Sequence, residues 1–114
     1  MESNIAVQAL AALAQTSRLA VYRLLVEVGP KGLAATEIAE RLLVTANTLS
    51  FHLKTLSRAD LILARPEGRF IYYSANFPRM AELVAFLTEN CCGGQPCAPL
   101  HQPPQRITAG ASDD

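Results

Sequence analysis

Residues 42–74 read LLVTANTLSFHLKTLSRADLILARPEGRFIYYS, and a change of period inside this stretch decides the fold. Across residues 47–59, Leu49, Leu53 and Leu56 recur at three- and four-residue steps, the stripe of an amphipathic helix. Turning that stripe inward distributes Asn47, Thr48, Ser50, Phe51, His52 and Lys54 over the exposed arc, a face made mostly of hydrogen-bonding side chains. The helical period then gives way to two β-prone runs, residues 61–65 and 69–74, around Pro66, Glu67 and Gly68. That pattern predicts a β-hairpin with an arginine on each shoulder, Arg65 and Arg69.

Upstream, AATEIAERL over residues 34–42 is a short helix with Ile38 and Leu42 at i and i+4, and residues 43–46 break it from the next. Two short helices joined by a tight turn, the second polar at its outward N-terminal end, match what a helix-turn-helix needs to reach base edges in a major groove. An arginine-bearing hairpin directly afterwards makes this a winged arrangement, with Arg65 and Arg69 placed to reach adjacent phosphates or the minor groove. Before this unit stand an Ala/Leu-rich helix over residues 5–14, capped by Ser3 or Asn4, and a second helix capped by Thr16 or Ser17 that stops at Gly29-Pro30. After it, Met80, Leu83, Val84 and Leu87 mark a last helix over about residues 78–92, with Pro78 at a permitted early position. The first and last helices are the expected dimer surface, because a core this small gains from a second copy. The expected fold is mainly α with a small β-hairpin, a homodimeric winged helix-turn-helix over residues 1–92 followed by a Gly/Pro-rich tail over 93–114 without regular periodicity.

Formal net charge is zero, yet the charge is segregated. Residues 41–79 hold Arg41, Lys54, Arg58, Arg65, Arg69 and Arg79 against Asp60 and Glu67, and the rest of the chain is acidic by the same margin. Such asymmetry fits a phosphate backbone on one face with acidic surface elsewhere. The first residues include an apolar run, but their head is acidic and Gln8 interrupts it, which argues against a signal peptide. No apolar stretch is long enough to span a bilayer, so a cytoplasmic protein with reduced thiols and no membrane partner is expected. No acid/base pair, phosphate loop or activated nucleophile suggests an enzyme.

The stretch over residues 42–74, above all its Ser-Phe-His-Leu core and its Gly-Arg-Phe-Ile-Tyr-Tyr strand, resembles the recognition helix and wing of the ArsR/SmtB metal-sensing repressors, and the likeness extends over about residues 5–90. It implies a homodimeric repressor of double-stranded operator DNA with Ser50 and His52 among the groove-facing residues. Many arsenic sensors of that family carry Cys-x-Cys on the helix before the turn. The corresponding helix here has no cysteine, so any sensing chemistry lies elsewhere.

All three cysteines, Cys91, Cys92 and Cys97, fall in one seven-residue window beside Gly93 and Gly94. A disulfide between neighbours is disfavoured, because adjacent Cα atoms lie about 3.8 Å apart where disulfides want roughly 4.4–6.8 Å. A predicted helix C-terminus and nearby Glu89 both oppose a reactive thiolate. A metal displaces the protons itself, and three thiolates without a close carboxylate choose a soft ion. As(III), or Sb(III), takes three sulfurs in a trigonal pyramid. Zn(II), Cd(II) and Pb(II) remain alternatives, with His101 available to complete a Cys₃His set for zinc, as does a redox switch through disulfides to Cys97. The glycines are expected to end the helix and fold Cys97 back toward the vicinal pair. Cysteines after the last helix also fit arsenic-sensing members of the family that the chain resembles.

Overall fold

The computed structural model describes residues 1–94. Cys97, His101 and the rest of the tail lie outside the described residues. The order of elements is α1 (Ser3–Leu13), α2 (Thr16–Val28), β1 (Leu33–Ala34), α3 (Ala35–Leu42), α4 (Ala46–Arg58), β2 (Ile62–Glu67), β3 (Phe70–Ala75) and α5 (Phe77–Leu87), then a short 3-10 turn, Cys91–Gly94. Among the described residues no helix is long and apolar enough to cross a membrane.

The largest buried side chains of the core come from α2, α3 and α4 and from Leu61 just before β2. Val21 and Leu25 of α2, Ile38 of α3, Leu49 and Leu56 of α4 and Leu61 are all but fully buried. Each fully buried aliphatic side chain of this size contributes roughly 1.5–3 kcal/mol. Caps then fix where the helices begin. Thr45 Oγ1 accepts from the Thr48 amide at 3.2 Å and so starts α4, and Asn76 Oδ1 accepts from the Arg79 amide at 3.3 Å and so starts α5. Ahead of α2, Gln15 takes the capping role expected of Thr16 or Ser17, its Oε1 accepting from the Arg18 amide at 2.8 Å. Glu2 precedes α1 without a side-chain cap, so neither Ser3 nor Asn4 serves there.

The hairpin belongs to a three-stranded antiparallel sheet in the order β1-β3-β2. Its register pairs Glu67 with Phe70, so the turn is Gly68-Arg69, with Gly68 at φ 63°, and Pro66 lies inside β2. Proline is tolerated there because β2 is an edge strand. The two-residue strand β1 was not expected from the sequence, since Leu33-Ala34 is too short to carry a period. It pairs Leu33 with Tyr73 and is fixed by Gly32, at φ 73°, where any Cβ would run into the Tyr73 carbonyl oxygen.

The last helix is shorter than its predicted extent of residues 78–92. It ends at Leu87, the last apolar residue of its stripe, and Thr88 Oγ1 donates back to the Val84 carbonyl at 2.9 Å. Asn90 and Cys92 then adopt left-handed conformations, φ 58° and 57°. Gly93 and Gly94 therefore do not end the helix. They prolong a turn that Thr88 and Asn90 have already begun, because a β-branched residue followed by Glu and Asn holds the helix weakly once the apolar stripe is gone.

Candidate nucleic-acid interface and thiol pair

α3, its turn and α4 form the helix-turn-helix, and the turn is strained. Leu43 ends α3 in the left-handed region, φ 56° and ψ 46°, and is 91% exposed. Glycine commonly fills such a position, and a leucine there costs on the order of 1–2 kcal/mol. From this turn α4 projects with Asn47, Thr48, Ser50, Phe51 and Lys54 all exposed. Asn47, Phe51, Lys54 and Arg58 recur every three or four residues along the middle of its outward face. Arg58 was not among the residues expected at the site, although the same periodicity extends to it.

His52 was expected on this face and is not there. It is 7% exposed, and with Leu49, Leu53 and Leu56 it forms an i, i+3, i+4, i+7 stripe toward the core. The three leucines alone drew that stripe too narrowly. Burial, and next the positive charge of Arg18 on α2, hold the imidazole below its ordinary pKa. Its Nδ1 is buried without a hydrogen-bond partner. His52 is therefore a packing residue of the recognition helix, and the side chains that α4 leaves exposed are its neighbours.

The two wing arginines also part company. Arg65 is tied inward: its guanidinium donates to the Lys31 carbonyl at 2.9 Å, lies 5.4 Å from the Tyr72 ring centroid and pairs with Glu67 at 3.4 Å. Arg69 sits in the exposed turn and makes no hydrogen bond or ion pair among the described residues. Lys54 is likewise without an acidic partner. Of the cationic residues expected at the DNA face, Arg69 and Lys54 are available, whereas Arg65 braces the wing.

Behind this face lies a latch between the end of α4 and the start of α5. Arg79 donates to Asp60 at 3.3 Å, and Asn76 Nδ2 donates to the Asp60 carbonyl at 2.8 Å. At the far end of α5, Cys91 and Cys92 place their sulfurs 3.6 Å apart, well beyond a disulfide bond of about 2.05 Å. No group of three or more His, Cys, Asp or Glu side chains is assembled to hold a metal among the described residues. Cys91 and Cys92 thus supply two donors, and Cys97 and His101 lie outside that set.

A polar recognition helix, a β-wing whose tip carries an unpaired arginine and a supporting helical core define a winged helix-turn-helix DNA-binding domain. Comparison with known proteins agrees. The family model described as "Helix-turn-helix domain" matches residues 13–64. The chain is 37% identical over 73 residues to the uncharacterized HTH-type transcriptional regulator YceK of Bacillus subtilis (strain 168), a match covering 64% of this chain and 72% of that protein. Its fold is similar to an ArsR-like transcriptional regulator from Rhodococcus sp. RHA1, with TM-score 0.67, 23% identity, and 80% and 82% of the two chains covered. It is also similar to the homodimeric winged helix-turn-helix DNA-binding domain of Mb0332 from Mycobacterium bovis, a possible ArsR-family regulator, with TM-score 0.61, 26% identity, and 81% and 85% covered. The chain belongs to the helix-turn-helix transcriptional regulators. It is a DNA-binding regulator and not an enzyme.

Proposed function

We propose that the chain is a homodimeric repressor that holds operator DNA when ligand-free and releases it when As(III), or Sb(III), binds Cys91, Cys92 and Cys97. The carrying observation is the 3.6 Å separation of the two vicinal sulfurs. With metal–sulfur bonds of about 2.3 Å, right-angled pyramidal coordination spreads two sulfurs by about 3.3 Å and tetrahedral coordination by about 3.8 Å. The observed separation lies between the two values, so the pair suits one ion of either geometry, and three thiolates complete the trigonal pyramid of As(III) or Sb(III) where zinc would need a fourth ligand.

Two features support the dimer. α1 buries the small residues Ala6, Ala9 and Ala12 in its own domain and leaves the larger Val7 and Leu10 63% and 41% exposed. α5, which packs on α1, buries Leu83 and leaves Val84 and Leu87 outside. A helix that turns its larger apolar residues to water is arranged for a partner. Pairing through α1 and α5 sets two recognition helices for half-sites about one DNA turn apart, and the Mycobacterium relative is described as homodimeric.

The test is fluorescence anisotropy of operator-bound protein titrated with arsenite, Zn(II), Cd(II), Pb(II) and peroxide. Arsenite is expected to release DNA at the lowest concentration, with Cys91→Ser and Cys92→Ser remaining bound and Cys97→Ser responding weakly. Release by zinc, cadmium or lead ahead of arsenite would reassign the ligand. Release by peroxide alone would make the pair a redox switch.

A further inference from the structure

Phe51 is 64% exposed, on a helix whose other outward residues from Asn47 onward are polar or charged. It sits on the midline of that face between Asn47 and Lys54, about one turn into α4, the part of a recognition helix that meets base edges. Its side chain plays no part in the core cluster, and its ring stands 6.3 Å from the buried His52 imidazole at a 60° tilt. The larger apolar group, Val7, Leu10, Val84 and Leu87, belongs to α1 and α5.

A phenyl ring has no hydrogen bond to offer a base. In the major groove one base presents an apolar group, the thymine C5-methyl. We propose that Phe51 is the specificity-determining residue that reads a thymine methyl in each operator half-site, while Asn47, Ser50 and Lys54 supply the polar and phosphate contacts around it. This rests on the operator reading above and deepens it, since it names the chemistry of one base position. Stacking between bases is the competing use of an exposed ring, but it needs unstacked or kinked DNA, whereas a helix lying in the major groove meets methyl groups on an intact duplex.

Replacing thymine by uracil removes the methyl group and keeps every hydrogen-bonding atom. The experiment takes duplexes selected by the wild-type protein from a randomised pool and substitutes uracil for each thymine in turn. Wild-type affinity is expected to fall about 4-fold when one half-site methyl is removed and about 15-fold when both are, at the transfer free energy of one methylene-sized group each. Phe51→Ala is expected to bind thymine and uracil duplexes alike, with the salt slope unchanged because no charge is lost. A wild-type protein indifferent to every uracil substitution, or a Phe51→Ala variant as methyl-sensitive as wild type, would overturn the assignment alone. Failure to select any specific duplex would overturn the operator reading and this assignment with it.

Discussion

α4 and α5 are helices of similar length, each resting one stripe on the same core, but they leave opposite chemistry outside. α4 exposes Asn47, Ser50, Phe51, Lys54 and Arg58, a polar and cationic line with one aromatic ring. α5 exposes Phe77, Val84 and Leu87. One face suits a polyanion, whose binding is dominated by phosphate charge, and the other suits burial against apolar surface. The helices meet where Asp60 is held by Arg79 and Asn76.

The largest expected effect comes from the α5 face. Leu87→Asp should give a monomer in sedimentation and, by removing bivalent attachment, weaken operator binding by roughly 10²-fold or more. A Leu87→Asp protein that stays dimeric would remove α5 from the interface.

On the α4 side, Arg69→Ala and Lys54→Ala should leave the dimer intact, weaken binding to all duplexes and each lower the salt slope by about 1. Arg65→Ala should change the salt slope less and lower thermal stability more, because its guanidinium is committed to Lys31, Tyr72 and Glu67. Equal salt slopes for Arg65→Ala and Arg69→Ala would erase the distinction between the two wing arginines.

Smaller effects test the seam between the faces. Leu43→Gly should raise stability in denaturant titration by about 1 kcal/mol, since it relieves a left-handed leucine that contributes no buried surface.

His52 adds a dependence on pH. The folded chain keeps the imidazole neutral below its ordinary pKa of about 6.5, so as pH falls through that value the unfolded chain takes up a proton that the folded chain resists. Stability should therefore fall with acid below about pH 6.5 and be independent of this group above about pH 7.5. His52→Leu should flatten that acid limb at little cost near neutrality, because the Nδ1 atom it removes has no partner. An unchanged acid limb in His52→Leu would place the titration elsewhere.

The order of elements was legible in the sequence because long stripes and turn residues act locally. Leu49, Leu53 and Leu56 defined α4, and the switch to alternating β-prone residues defined the wing. What was not legible depended on tertiary neighbours. His52 looks polar in the sequence and is buried all the same, on the stripe of α4 that faces the core, with the charge of Arg18 on α2 acting on it. Arg65 and Arg69 look equivalent until the Lys31 carbonyl captures one of them. The two residues of β1 exist as a strand only because β3 lies beside them, and the stop of α5 at Leu87 depended on a threonine bonding back to its own helix. At the thiol pair, the sequence showed the cluster, and the fold added the sulfur spacing and its position at the end of an apolar helix.

Ligand at the α5 end and DNA at α4 are expected to oppose each other. The most direct measurement is the arsenite affinity of the dimer with and without saturating operator. A coupling of about 1–3 kcal/mol predicts that operator weakens arsenite binding 5- to 150-fold, by the same factor that arsenite weakens operator binding. Equal arsenite affinity in the two states would contradict it.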